Sequence, residues 1–168
     1  IAFESAMAKS WNFKIFKKIR READAASVLL AEERGACLDA QEAGMKARFS
    51  NKIAIAPTAS ISIITGGASA GIEPIPANIY THKTLSGAFS VRTYLQKILA
   101  ARGADTQAVW ESILEHEGSV AHLDCLSDDE KQVFRTAFEL DQRWIVEFAA
   151  DRAPYICQSQ SLNLFLPA

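Results

Sequence analysis

The stretch that decides the fold reads Lys52-Ile53-Ala54-Ile55-Ala56-Pro57-Thr58-Ala59-Ser60-Ile61-Ser62-Ile63-Ile64-Thr65-Gly66-Gly67. Its first part alternates long and small side chains and ends at Pro57, a pattern typical of a short buried strand. Proline presets a backbone angle that suits a helix start, and two glycines close the apolar segment that follows. The stretch therefore predicts a strand that turns directly into a short helix.

Three hydroxyl side chains lie within five residues at this predicted helix start, namely Thr58, Ser60 and Ser62. Free backbone amides at a helix N-terminus point outward and favour an anion, so this turn could hold a phosphate without Lys or Arg. A plain Ser/Thr cap on a structural helix explains the same residues. The residues by themselves leave both explanations open. The glycines from Gly66 to Gly71 match neither spacing of the nucleotide-binding glycine loops.

Helical periodicity dominates on both sides of this stretch, and Gly103 and Gly118 are predicted to stop two short helices. A capping box of Ser127 and Glu130 predicts the start of a helix that continues until Pro154 ends it. Helices that separate short apolar strands predict α/β architecture. We expect one partial domain over 1–168, helical over 1–46, a strand plus the hydroxyl loop over 52–67, an extended connector and strand over 71–90, helices over 91–153 and a strand over 159–166.

Composition narrows the class of protein. Hydrophobic residues make up 49% and charged residues 23%, as in soluble globular proteins, and the formal charge of −2 gives no electrostatic case for nucleic acid or an anionic membrane. No apolar run approaches the ~20 residues of a membrane helix. Three widely spaced cysteines suit reduced thiols, and three histidines lack metal-ligand spacing. We expect a cytoplasmic chain with no metal or cofactor of its own.

The two ends of the sequence predict that it was cut out of something larger. It begins at Ile1 without Met, and it stops at Ala168 directly after an apolar segment. Natural domains usually end in polar, expendable tails.

Blocks of sequence, in order along nearly the whole chain, resemble the large subunit of ribonucleotide reductase. The most specific is Arg48–Ile64, followed by Ser69-Ala70-Gly71-Ile72-Glu73-Pro74. The family has a Pro-Thr loop with small hydroxyl residues and, after a short spacer, Gly-Ile-Glu-Pro. A second block, Ala77–Gly87, is similar to a bacterial group of class I large subunits. Ala31–Gly35 and Gln160–Phe165 match in order as well.

The resemblance implies both a fold and an activity. The fold is part of a ten-stranded α/β barrel, helix-rich with a few short strands, and the isolated piece could repack as mostly helical. The activity is reduction of ribonucleoside diphosphates to deoxyribonucleotides by a thiyl radical. The resemblance further implies that the terminal phosphates of the substrate bind at Thr58, Ala59, Ser60 and Ile61, with Ser62 flanking.

The radical cysteine of that family lies in an Asn-x-Cys-x-Glu motif, which this sequence lacks. The residues two positions before the cysteines are different in every case: Gly35 before Cys37, Leu123 before Cys125 and Tyr155 before Cys157. We therefore expect no catalytic residue in this chain and no activity of the chain alone.

The resemblance also implies partners, and it leaves alternatives. The partners are the nucleoside diphosphate, the remainder of the large subunit and a metal-bearing small subunit that generates the radical. A cobalamin-dependent class shares the Pro-Thr loop and would use cobalamin instead. The alternative functions are a non-catalytic helical interaction module and an anion-binding module. Half a barrel exposes strand edges and apolar helix faces, so self-association is a further expectation.

Overall fold

The computed structural model describes residues 1–66, 68–84 and 87–166. Helices dominate these residues, together with one pair of strands. The elements in chain order are α1 (Ala6–Arg34), α2 (Leu38–Glu42), α3 (Ala59–Ile64), β1 (Ile79–Thr84), β2 (Gly87–Arg92), α4 (Leu95–Ala101), α5 (Gln107–Glu115), α6 (Asp128–Val133), a 3-10 helix (Ala137–Glu139), α7 (Arg143–Arg152) and a second 3-10 helix (Ala153–Tyr155).

The chain divides into two compact units. The loop unit comprises residues 1–5, 57–145 and 162–168, and it contains the predicted hydroxyl loop. The α1 unit comprises residues 6–56 and 146–161.

The α1 unit is organised by its long first helix. Phe16 on α1 is buried, as are Ile53, Ile55 and Phe148 of the same unit. The buried hydroxyl of Ser27 accepts hydrogen bonds from two backbone amides of the segment that follows α2. Although α1 is long, none of the helices in the described ranges combines the length and apolar character that a membrane crossing requires.

Within the α1 unit, a short parallel pairing joins residues from the two predicted strands. The Ile55 amide donates to the Ser159 carbonyl at 3.1 Å, and the Ser161 amide donates to the Ile55 carbonyl at 2.9 Å. Within the described residues this pairing amounts to one parallel bridge, between Ile55 and Gln160. The strand expected over 159–166 does not continue, because side chains take the later amides. The Asn163 amide donates to the Glu73 carboxylate, and the Phe165 amide donates to the Gln142 side chain.

The core of the loop unit is a cluster of apolar side chains from α4, α5 and the segments that follow. Its buried members are Leu95, Leu99, Trp110, Ile113, Val120, Leu123, Leu126 and Phe134. The predicted stops of α4 and α5 hold: Gly103 and Gly118 follow them with φ of 68° and 85°. These are left-handed backbone conformations that glycine adopts without strain.

The strand predicted within residues 71–90 is the first arm of an antiparallel hairpin. β1 pairs with β2 in a register that sets Ile79 opposite Arg92 and Thr84 opposite Gly87. The connecting residues 85 and 86 lie outside the described ranges.

The helix predicted from Ser127 to Pro154 is divided into three pieces. Its start is as predicted, since Ser127 and Glu130 form the capping box. The helix stops at Val133 because the backbone after it bonds elsewhere. The Phe134 carbonyl accepts a hydrogen bond from the Asn78 side chain at 2.7 Å, and the Ala137 amide donates to the Ile75 carbonyl at 2.6 Å. Tertiary partners therefore override the helical pattern at this point.

Candidate functional site

Thr58 sets the geometry of the candidate site. It precedes α3 with φ 49° and ψ 29°, a left-handed conformation that costs a non-glycine residue about 1–2 kcal/mol. Its carbonyl accepts the Ser62 amide at 2.9 Å, and its hydroxyl accepts the Gly71 amide at 2.8 Å. A Ser/Thr cap was one of the two explanations left open for these hydroxyls, but the Thr58 hydroxyl makes no capping bond to α3. Thr58 instead fixes the turn to the segment that follows the helix.

The first turn of α3 presents backbone donors that have no partner among the described residues. The amides of Ala59, Ser60 and Ile61 precede the first hydrogen bond within the helix, which the Ser62 amide makes. None of the hydrogen bonds between described residues takes these three amides. Ala59, Ser60 and Ile61 are all exposed, so the amides and the Ser60 hydroxyl are open to a ligand. Three adjacent donors are a suitable cradle for the oxygens of a phosphate.

Ser62 supports the helix from its buried side. It is 6% exposed, and its hydroxyl donates to the Ala59 carbonyl at 2.7 Å. Thr65 repeats this arrangement one turn later, since its hydroxyl donates to the Ser62 carbonyl at 2.9 Å. The structure therefore brings the five predicted residues together in one turn but divides them by role. Ala59, Ser60 and Ile61 face outward, while Thr58 and Ser62 hold the turn.

A second group of residues, Gly71, Glu73 and Asn163, supports the loop through hydrogen bonds and packing. The sequence alone gave this group no role in the site. The Glu73 carboxylate accepts the Asn163 backbone amide at 2.8 Å. It also accepts the Asn163 side-chain amide at 3.1 and 2.9 Å. Gly71, the donor to Thr58, packs beside this carboxylate: a Cβ built on Gly71 would lie 3.7 Å from the Glu73 Oε1 atom.

One signal in the sequence could have located Gly71, a member of this group. A glycine that follows a hydroxyl loop and precedes Ile-Glu-Pro indicates a backbone that needs special freedom, and Gly71 has φ 60°. Asn163 carries no local signal, because 90 residues separate it from Glu73.

Asn78 is another buried residue whose role the sequence did not reveal. Its side chain is fully buried and donates to the Gly118 carbonyl at 2.9 Å and to the Phe134 carbonyl at 2.7 Å. The Thr93 hydroxyl donates to its amide oxygen at 3.1 Å. Asn78 thus joins the hairpin to the ends of α5 and α6, and its role is structural.

The cysteines are free thiols, and one of them has an unusual environment. Cys157, in the α1 unit, accepts the backbone amide of Lys52 at 2.9 Å and that of Ile53 at 3.1 Å. The bond from Lys52 contributes most to lowering the pKa of the Cys157 thiol, against burial, and the charge of Arg20 adds to it. Cys157 still lacks the motif of the radical cysteine, and we assign it no catalytic role.

Two of the histidines stack on each other. The rings of His116 and His122 lie 3.7 Å apart at 14°. Burial, together with the neighbouring His116, lowers the pKa of His122. In the part of the chain that the structure describes, no cluster of three His, Cys, Asp or Glu residues has metal-binding geometry.

Similar sequences identify the family of this chain. The family described as "Ribonucleotide reductase, barrel domain" matches residues 38–168. The chain is 46% identical over 171 residues to the ribonucleoside-diphosphate reductase large subunit of Invertebrate iridescent virus 6, a match that covers 99% of this chain and 18% of that protein. It is 44% identical over 169 residues to the large subunit of Invertebrate iridescent virus 3, which covers 98% of this chain and 26% of that protein.

A solved structure agrees in fold. The class Id ribonucleotide reductase alpha subunit of Actinobacillus ureae matches with a TM-score of 0.84 and 38% identity, over 98% of this chain and 29% of that one. The chain thus spans less than a third of the length of these relatives. The expectation of a helix-rich part of the reductase barrel is confirmed, and the chain belongs to the ribonucleotide reductase barrel-domain family.

Proposed function

We propose that this chain takes part in the reduction of ribonucleoside diphosphates to deoxyribonucleotides, as the part of a large subunit that binds the terminal phosphates of the substrate. One observation carries the proposal. The open amides of Ala59, Ser60 and Ile61 lie at the loop to which the family resemblance assigns the phosphates.

The chemistry of binding follows from the donors. A diphosphate offers oxygens that accept hydrogen bonds from backbone amides, and bonds to a charged acceptor are stronger than neutral ones. Because α3 has six residues, the local amides contribute more than a summed helix dipole. The Ser60 hydroxyl adds a fourth donor. Thr58 and Ser62 keep the turn in place, so little ordering remains to be done when the phosphate binds.

In the proposed reaction this chain positions the substrate. Holding the diphosphate fixes one end of the nucleotide, which orients the ribose for a reacting group on another segment. That segment would belong to the remainder of the large subunit. The radical would come from a metal-bearing small subunit, or from cobalamin in the alternative class. We place this activity in the cytoplasm, where unpaired cysteines stay reduced.

A titration of the isotope-labelled chain tests the proposal. We expect cytidine diphosphate and inorganic pyrophosphate to shift the amide resonances of Ala59, Ser60 and Ile61 at low salt. Cytidine alone should leave them in place, because it lacks the phosphates. The variant Ser60→Asp should weaken pyrophosphate binding about tenfold, or about 1.4 kcal/mol, because a carboxylate in the cradle repels the anion.

The matched control is Ala108→Asp. Ala108 is exposed and occupies the second position of α5, as Ser60 does in α3. A carboxylate at either position favours the helix start, so both variants should fold. Ala108→Asp should bind pyrophosphate as the parent chain does. Equal affinity of Ser60→Asp and Ala108→Asp would contradict the proposal, as would equal shifts with cytidine.

A further inference from the structure

We propose that Glu73 and Asn163 form a positioning pair that sets the phosphate loop in its binding conformation. The inference rests on the proposed function, because it concerns the same loop. Neither residue contacts the three open amides. They act through Gly71 and Thr58.

The first step links the loop to Gly71. Thr58 holds a left-handed conformation directly before the first turn of α3, the turn that carries the three open amides. Its hydroxyl reaches a partner in the Gly71 amide at 2.8 Å, thirteen residues along the chain. A shift of Gly71 would remove that bond, and the threonine would be free to leave its strained conformation.

The second step links Gly71 to the pair. Gly66 and Gly71 adopt left-handed φ of 89° and 60° in the fold. Because glycine lacks a Cβ, such residues also give the segment between α3 and Pro74 an unusually free backbone in the unfolded chain. Glu73 limits that freedom through its backbone and through its side chain. Its carbonyl accepts the Ser69 hydroxyl, and its carboxylate lies against Gly71.

The third step anchors Glu73. Asn163 donates to both carboxylate oxygens, with its backbone amide at 2.8 Å and its side-chain amide at 2.9 Å. Carboxylates bond amides more strongly than neutral acceptors do, and two donors from one residue fix the orientation of the carboxylate. Asn163 belongs to the last segment of the loop unit, residues 162–168, and Glu73 to the segment 57–145. A residue distant in sequence therefore fixes the position of the phosphate loop.

An exchange of polarity across the pair tests the inference. Asn163→Asp sets two carboxylates against each other and should release the pair. The double variant Glu73→Gln with Asn163→Asp moves the side-chain amide group to the other member of the pair. The introduced glutamine amide donates to the introduced carboxylate, and the glutamine oxygen accepts the backbone amide of residue 163. The bonds are restored with the polarity of the side-chain pair reversed.

The first readout needs no ligand. Hydrogen exchange at the Gly71 amide reports its bond to Thr58. We expect Asn163→Asp to speed this exchange about tenfold and the double variant to return it to within about twofold of the parent chain. The α5 amides should keep their protection in both variants, which shows that the core of the loop unit is intact.

The second readout is the affinity for inorganic pyrophosphate. It should fall about tenfold in Asn163→Asp and recover in the double variant. Exchange at Gly71 that stays unchanged in Asn163→Asp overturns the inference, even when pyrophosphate binds as proposed. If the Asn163→Asp variant loses protection in α5, the double variant decides: failure to restore slow exchange at the Gly71 amide overturns the inference too. A parent chain that binds no pyrophosphate refutes the proposed function instead, while the exchange measurement still decides the role of the pair.

Discussion

Several single residues in this chain are unfavourable locally, through backbone strain or burial of a polar group, and are stabilised by hydrogen bonds to residues distant in sequence. Thr58 adopts a conformation that its own side chain disfavours, and a hydrogen bond from Gly71 compensates for it. Ser27 and Asn78 are buried polar side chains with two or more hydrogen bonds each, as buried polar groups require. Glu139 is half-buried and charged, and its carboxylate likewise accepts hydrogen bonds from the Ser119 hydroxyl and the Thr136 amide.

Glu139 provides a pH-dependent contribution to stability. Burial alone would raise its pKa, but the Ser119 hydroxyl, the Thr136 amide and the charge of Arg135 outweigh burial and lower the pKa. A lowered pKa in the folded state stabilises the fold above the unfolded value of about 4.3, and this stability disappears as the pH falls through the lowered value. Glu139→Gln should therefore cost about 1 kcal/mol at pH 7 and lose less stability below about pH 4.5 than the parent chain.

Chemical denaturation followed by fluorescence between pH 3 and pH 7 measures this difference. The control is Glu115→Gln at an exposed position near the end of α5, which should leave the free energy of unfolding unchanged. Parallel pH profiles for the Glu139→Gln variant and the parent chain would refute the assignment.

At the scale of elements, helix ends decide how the segments pack. α4 and α5 both stop before a glycine with positive φ, but the two glycines differ in their surroundings. A Cβ on Gly103 would meet nothing within 4 Å. A Cβ on Gly118 would lie 2.4 Å from the Cβ of Ala77 and 2.8 Å from its Cα. The end of α5 therefore needs glycine for close approach to the start of the hairpin.

This difference predicts unequal effects of the same substitution. Gly103→Ala should cost about 1–2 kcal/mol, from backbone strain alone. Gly118→Ala carries the same strain and should add about 1–3 kcal/mol, because the backbone near Asn78 has to move. Urea denaturation of both variants gives the comparison. Equal losses would mean that the close contact at Gly118 does not matter.

At the scale of the whole molecule, the chain spans 18–29% of the length of the relatives described above. Large apolar side chains are exposed along its first helix. Met7, Trp11, Ile15 and Ile19 recur at spacing four along α1 and are 44–60% exposed. They form an apolar stripe on a helix face, and Lys14 and Lys18 flank it. Contiguous exposed apolar surface of this kind favours association.

We expect the chain to associate with itself at micromolar to millimolar concentration through this stripe. The double variant Trp11→Gln with Ile15→Gln should shift the chain toward monomer in size-exclusion chromatography with light scattering. Leu38→Gln is the control, since Leu38 is 74% exposed but lies outside the stripe. A parent chain that remains monomeric throughout this range would contradict the prediction.

Much of the fold followed from local pattern. The glycine stops of α4 and α5, the Ser127 capping box and the short helix after Pro57 depend on neighbouring residues, and the structure has each of them. The long helix to Pro154 was predicted from its periodicity and is wrong, because Asn78 and Ile75 bond its backbone from a distant segment. The strand predicted over 159–166 ends early for a similar reason, because the side chains of Glu73 and Gln142 accept its later backbone amides.

The sequence by itself determined the family and the loop of Thr58–Ser62, because the motifs that carry the resemblance are contiguous. The tertiary structure decided how that loop is held. The hydroxyl of Thr58 turns away from α3 toward Gly71, and the carboxylate of Glu73 turns toward Asn163. Hydrogen bonds between residues far apart in the chain follow no local spacing, so only the folded chain brings these partners together.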